Sequence, residues 1–256
     1  MIDYKSALSG WKTVLIKVNF ITVKTWDTGA TTDPIVVEAI IKKLQGLPVK
    51  IYVVESDATM TNGDEAFEAT GMKEMAERNG VECLNLRYVE DRVKINIPDG
   101  RALDSITVPR LVTESALISA AKLKTHWSTK VTLGMKNMFG LLPDKFKGKY
   151  HIKGISKVVA DINTVIKPVL TVIDGFVAME GMGPVSGSPV KMDLIIAGKD
   201  VVATDATACR IMGFDPHEVA HVRMAYERKL GEIDDIEVLG QNIESVMQQF
   251  KRAGRI

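Results

Sequence analysis

The stretch Thr13-Val14-Leu15-Ile16-Lys17-Val18-Asn19 decides the architecture. Its apolar run is short and ends in polar residues, the pattern of a strand buried on both faces. A loop containing Thr and Gly follows, and Thr32-Asp33-Pro34 opens a helix. Thr32 or Asp33 can cap that helix, and Pro34 stands where a first-turn proline is tolerated. Ile35, Val36, Ala39, Ile40 and Leu44 form its expected apolar stripe. Val49–Glu55 is the next strand. Strand, helix and strand in this order predict a parallel pair joined by a crossover helix.

The same alternation continues outward. Asn62-Gly63-Asp64 starts a helix reaching about Asn79, where Gly80 ends it, and Val81–Leu86 is a third strand. Val93–Ile97 and Leu103–Val108 flank Pro98-Asp99-Gly100, a hairpin signal for a sheet edge or small lobe. Ala116–Ala121, Leu170–Asp174, Met192–Ala197 and Ile236–Leu239 read as strands. Helices are predicted over Thr129–Phe139, Ile155–Ile166, Asp200–Met212, Glu218–Lys229 and Ile243–Lys251. The fold class is therefore α/β: a mostly parallel sheet with helices on both faces, plus a β-hairpin. Residues 1–256 form one domain, with 1–120 and 121–256 as candidate lobes.

Composition narrows the function. The 256 residues are 46% hydrophobic and 25% charged, with a formal net charge of +1, which argues against a general nucleic-acid or membrane-surface binder. Met1-Ile-Asp-Tyr-Lys5 lacks the apolar core of a signal peptide, and no apolar run reaches membrane-span length. Cys83 and Cys209 are too far apart for a paired motif and too few to hold an iron–sulphur cluster alone. These features predict a reducing, cytoplasmic location.

In open α/β sheets, ligands bind beyond the carboxyl ends of the strands, so those segments carry the candidates. Lys122–Lys157 holds nine lysines against one acid, Asp144, and includes His126 and His151. Such a concentration of charge attracts phosphate, carboxylate or an anionic cofactor, although a lysine-rich run is also an ordinary solvated loop. Lys122, Lys124 and His126 follow a strand directly. Glu180-Gly-Met-Gly-Pro-Val-Ser-Gly187 is a glycine loop lacking both the Lys-Ser/Thr of a phosphate-binding P-loop and the following helix of a dinucleotide fingerprint. Gly183 and Gly187 are expected at positive φ, with backbone N–H groups turned to an anion. Asp174 occupies a strand's carboxyl end, whereas Asp200 and Asp205 read as helix-capping acids. His217-Glu-Val-Ala-His221 spells the HExxH zinc-hydrolase pattern, but Asp215-Pro216 puts His217 in a first turn and no third ligand is evident.

These segments resemble one family. Lys17-Val-Asn19, Lys122-Leu-Lys-Thr-His126, Gly134-Met-Lys-Asn-Met-Phe-Gly140, Asp174-Gly175, Glu180–Gly187 and Gly198-Lys-Asp-Val-Val-Ala-Thr-Asp205 occur in the order found in the family called domain of unknown function 362. The resemblance covers essentially the whole chain and implies an association with ferredoxin-type iron–sulphur proteins. The Lys-Thr-His signature is also distantly similar to the nickel-pincer lactate racemase group, which implies two closely packed α/β lobes around an anionic ligand.

Two readings follow. In the first, the protein is an enzyme acting on a small anionic ligand. Lys124, His126 and Asp174 are catalytic, with His126 as general acid–base. Lys17, Asn19, Lys122, Lys136, Asn137, Gly181, Gly183 and Gly187 bind the ligand. Asp174 and Glu180 orient His126 or hold a divalent metal. Lys122, Lys124, His126 and Asp174 are predicted to meet in one cleft. In the second reading, the protein is a non-catalytic carrier that docks a ferredoxin through Lys145–Lys157.

Overall fold

The strand–helix–strand unit read from Thr13 to Glu55 forms the centre of the computed structural model, which describes residues 2–254. Met1, where the N-terminal reading begins, lies outside them. Strands β1 (Thr13–Lys17) and β2 (Lys50–Glu55) pair in parallel, joined by the Pro34–Leu44 helix. Asp33 caps that helix, its side chain accepting from the Ile35 N–H at 2.9 Å. The first turn leaves Ile35 at 61% exposure and brings Val36, Val37, Ile41 and Leu44 inward. The apolar stripe is thus rotated from the expected one.

β3 (Glu82–Asn85), β4 (Arg92–Asn96), β5 (Ser105–Pro109), β6 (Ala116–His126), β7 (Lys130–Thr132), β8 (Leu170–Glu180) and β9 (Ser188–Gly198) complete the strands. The main sheet runs β3-β2-β1-β6-β8-β9, with β7 paired to β6. β3, β2, β1, β6 and β8 are parallel, whereas β9 is antiparallel to β8 and β7 to β6. β4 and β5 form the separate antiparallel hairpin expected around Pro98-Asp99-Gly100. The sheet is continuous, so residues 120 and 121 lie inside β6.

Chain order reverses between β1 and β6: β2 and β3 extend to one side, β8 and β9 to the other. A crevice forms at such a switch point because the flanking connections leave toward opposite faces. One apolar cluster, including Leu15, Ala121, Leu123 and Ile173, packs under the Ile155–Val165, Val201–Ile211 and Ala220–Glu227 helices. The other, including Ile16, Ile118, Ala120 and Val172, packs under Pro34–Leu44 and its neighbours.

Several boundaries differ from the sequence reading for local reasons. The helix expected over Asn62–Asn79 is two helices, Gly63–Ala69 and Met72–Arg78, because Gly71 adopts left-handed φ of 74° between them. The Thr129–Phe139 helix is instead β7 followed by Gly134–Met138, since β6 folds back through a turn with Lys130 at φ 66°. Ile236–Leu239 is not a strand, and the last helix shrinks to Ile243–Val246. Beyond it, Gln248 and Phe250 donate their N–H groups to Ile211 and Met212 carbonyls, which holds the tail extended.

Candidate functional site

Lys17, at the end of β1, faces the side covered by the Gly134–Met138 helix. Its Nζ lies 2.7 Å from Glu55 Oε1 at the end of β2, and both side chains are buried. Burial pushes the Lys17 ammonium below its ordinary value, against the charge and hydrogen bond of Glu55. Lys17 Nζ also donates to Asn137 Oδ1 at 3.2 Å, and Asn137 Nδ2 returns a 2.8 Å bond to the Lys17 carbonyl. Asn19 Nδ2 donates to the same Asn137 oxygen. A Cβ at Gly140 would stand 2.4 Å from Lys17 Nζ, and one at Gly134 would stand 2.9 Å from Asp205 Oδ1. Both glycines of the Gly134–Gly140 motif are therefore needed for close approach.

On the opposite face, Lys122 Nζ lies 2.7 Å from Asp174 Oδ2, with neither side chain exposed. Asp174 also accepts from the N–H groups of Asp33 at 2.8 Å and Phe176 at 3.1 Å. The first two lysines of the site are therefore each matched by one carboxylate.

The next three have no such match. Lys124 is fully buried, and its Nζ donates to the carbonyls of Ala30 at 2.5 Å and Pro184 at 3.4 Å. Lys147 is buried and donates to Ser56 Oγ at 2.8 Å, and Lys136 is half-buried. Among the described residues, none of the three forms a salt bridge. Burial, followed by the charge of Lys136, pushes Lys124 well below the usual lysine range. Lys136 is pushed down to about 8 by burial and by Lys147 and Lys17. Lys147 also comes down to about 8, chiefly through burial.

His126 belongs to this unpaired group. Its Nδ1 accepts from the Ser128 N–H at 3.1 Å, which puts the proton of the neutral ring on Nε2. Burial, and then Lys136 and Lys124, hold its pKa far below the ordinary histidine value. The ring is thus neutral, with an Nε2–H to offer. Trp127, 55% exposed, stacks between His126 and His151 with ring centroids 6.0 and 6.1 Å away.

The two acids predicted to orient His126 have other partners. Asp174 holds Lys122, whereas Glu180 accepts from the Lys251 N–H at 2.8 Å and pairs with its Nζ at 3.1 Å. Six residues separate the acids along β8, at roughly 3.3 Å per residue, so they do not converge on one ion. Among the described residues, no three His, Cys, Asp or Glu side chains are arranged to hold a metal. The HExxH pattern is likewise divided. His217 lies in a Pro216–Glu218 turn bonded to Asp234, whereas His221 is buried in the following helix with both ring nitrogens unpartnered.

The glycine loop also differs from expectation. Gly181, at φ 76°, is left-handed, but Gly183 and Gly187 are not. Those two are needed because a Cβ would stand 2.1 Å from the Thr125 carbonyl oxygen or 2.2 Å from that of Glu180. The loop presents carbonyls: Gly181 to Thr125 Oγ1, Gly183 to the Trp127 N–H, Pro184 to Lys124 and Val185 to Lys24. It covers Lys124 and does not form a nest of amides.

Glu55, Ser56 and Lys147 were not among the residues predicted to form the site. Glu55 ends a buried strand beside Lys17, a placement legible in the sequence, but nothing marks Lys147 as the member of its lysine run that turns inward. Asp205, read as a cap, does cap: it accepts from the N–H groups of Gly134 at 2.7 Å and Met135 at 2.9 Å. Its target is the neighbouring Gly134–Met138 helix, however, and burial raises its pKa to about 7. A groove of about 660 Å³ lies elsewhere, between β9 and the segment around Val238, and none of the five site lysines lines it.

The chain is 28% identical over 229 residues to a thylakoid-associated protein of Synechocystis sp., covering 85% of this chain and 68% of that one. No solved structure matches it. Among the described residues, no helix is long and apolar enough to cross a membrane. The model of the family described as domain of unknown function (DUF362) matches residues 14–210, a span holding every lysine of the cluster, and the chain belongs to that family.

Proposed function

We propose that the protein is an enzyme that binds a small phosphate- or carboxylate-bearing ligand at Lys124, Lys136 and Lys147, beside His126. The observation that carries this reading is that these three lysines are buried or half-buried without a carboxylate partner, whereas Lys17 and Lys122 each have one at 2.7 Å. An uncompensated buried charge costs several kcal/mol, on the order of the cost of breaking a buried ion pair. A fold keeps such a cluster when an anion supplies the missing charge. The His126 N–H adds a neutral donor, and the switch-point position agrees with ligand placement in open α/β sheets. Lys17–Glu55 and Lys122–Asp174 serve as the fixed walls of this site.

Thermal unfolding with and without phosphate, at constant ionic strength, tests the reading. A ligand that binds only the folded state raises Tm with its concentration. Phosphate or a small organic acid should raise Tm in the wild type, and Lys136→Met and Lys147→Met should abolish the rise. An equal rise in all three proteins would refute the assignment.

A further inference from the structure

Four lysines lie at the junction of β6 with its neighbouring loops, and their surroundings differ. Lys122 has a carboxylate at 2.7 Å. Lys136 and Lys147 approach a common region, their Nζ atoms lying 5.7 and 5.6 Å from the Phe139 ring centroid. Lys124 is fully buried and, among the described residues, lacks a carboxylate partner and bonds only to two backbone carbonyls. Two carbonyl acceptors are satisfied by the two hydrogens of a neutral amine, which leaves its lone pair free. An ammonium in the same place would have a third proton to satisfy.

We propose that Lys124 is a covalent catalytic residue that forms an imine with the aldehyde or ketone carbon of a small anionic oxo compound. Its carboxylate or phosphate would be held by Lys136 and Lys147. This rests on the anion-binding reading above and adds a substrate class to it. The Lys124 nitrogen lone pair attacks the carbonyl carbon, the carbon–oxygen π bond opens, and the two amine protons pass to the carbonyl oxygen. It leaves as water when the carbon–nitrogen double bond forms. No oxidant or reductant takes part. A desolvated lysine beside other cations is the environment that activates an amine for this step, and burial together with the charges of Lys136 and Lys122 depresses the Lys124 pKa accordingly.

Access runs past the Glu180–Gly187 loop. Its Pro184 carbonyl makes the longer of the two Lys124 bonds, at 3.4 Å. From outside, exposed Lys24 holds the same loop through the Val185 carbonyl at 2.9 Å. Entry of the substrate exchanges the Pro184 contact for the carbonyl group.

The test treats the intact protein with pyruvate or glycolaldehyde phosphate and cyanoborohydride, then locates reduced adducts by peptide mass spectrometry. The expected result is an adduct concentrated on Lys124, lost in Lys124→Arg, slowed in Lys136→Gln and accelerated in Lys24→Ala. Adducts scattered over surface lysines, or acetone trapped at Lys124 as fast as pyruvate, would overturn the inference. Phosphate-induced thermal stabilisation is measured on the same samples. Stabilisation without a Lys124 adduct rejects the imine and leaves the anion site standing; loss of both rejects the two together.

Discussion

Replacing Asp174 by Asn separates the structural lysines from the functional ones. The substitution preserves size but removes the charge facing Lys122 Nζ at 2.7 Å, where neither side chain is exposed. Asp174 also accepts from Asp33 and Phe176 N–H groups, so three donors converge on two oxygens. An Asn side chain offers one oxygen and turns an NH2 toward at least one of those donors. Leaving a buried ammonium unpaired costs about 3–5 kcal/mol. At roughly 2–4 °C per kcal/mol for a domain of this size, Tm should fall by about 6–20 °C. Urea unfolding of Asp174→Asn, Lys122→Met and the double variant measures the coupling directly. The double variant should recover most of the loss, because no unmatched charge then remains buried. A loss below about 1 kcal/mol in Asp174→Asn, or additive losses in the double variant, would refute the claim that this pair is matched.

The remaining predictions concern charge and packing elsewhere. Lys136 and Lys147 both titrate near 8 in the folded chain, below the ordinary lysine value of 10.5. Between these values the unfolded state binds more protons, so ligand-free stability should rise with pH from about 8 toward 10.5 as their charge is relieved; the wild-type denaturation midpoint should rise more steeply across that window than that of Lys136→Met/Lys147→Met, and parallel curves would contradict it. Anion binding should weaken over the same interval, readable by titration calorimetry at fixed ionic strength. His221 is buried with both ring nitrogens unpartnered. His221→Leu should therefore be neutral or stabilising, with unchanged zinc content by mass spectrometry, whereas loss of a tightly held equivalent of zinc would revive the HExxH reading. Gly183→Ala should destabilise the protein and expose Lys124 to amine-reactive reagents, because its Cβ would meet the Thr125 carbonyl.

The sheet was legible because Thr13–Asn19, Val49–Glu55 and Ala116–Ala121 carry apolar runs of strand length separated by helix caps and glycines. The strand-end rule holds for Lys17, which ends β1, but Lys122, Lys124 and Asp174 lie inside β6 and β8, which run on past a register shift to His126 and Glu180. What sequence could not convey was partner choice. Asp174 and Glu180 read alike as acids that orient His126 or hold a metal, but one holds Lys122 and the other the tail at Lys251. His126 looked like a general base because a histidine's ordinary pKa suits that role; its desolvation and lysine neighbours come from segments distant in sequence. Tertiary hydrogen bonds likewise override helix periodicity where Phe250 binds the Met212 carbonyl.

The central claim is that an anion completes the charge of Lys136 and Lys147 beside Lys124. A crystal of the protein grown in bromide, measured at the bromine absorption edge, tests it most directly. The account predicts an anomalous peak between the ammonium groups of Lys136 and Lys147, displaced when phosphate is added. Bromide confined to exposed surface lysines, with the cluster empty in both crystals, would contradict it.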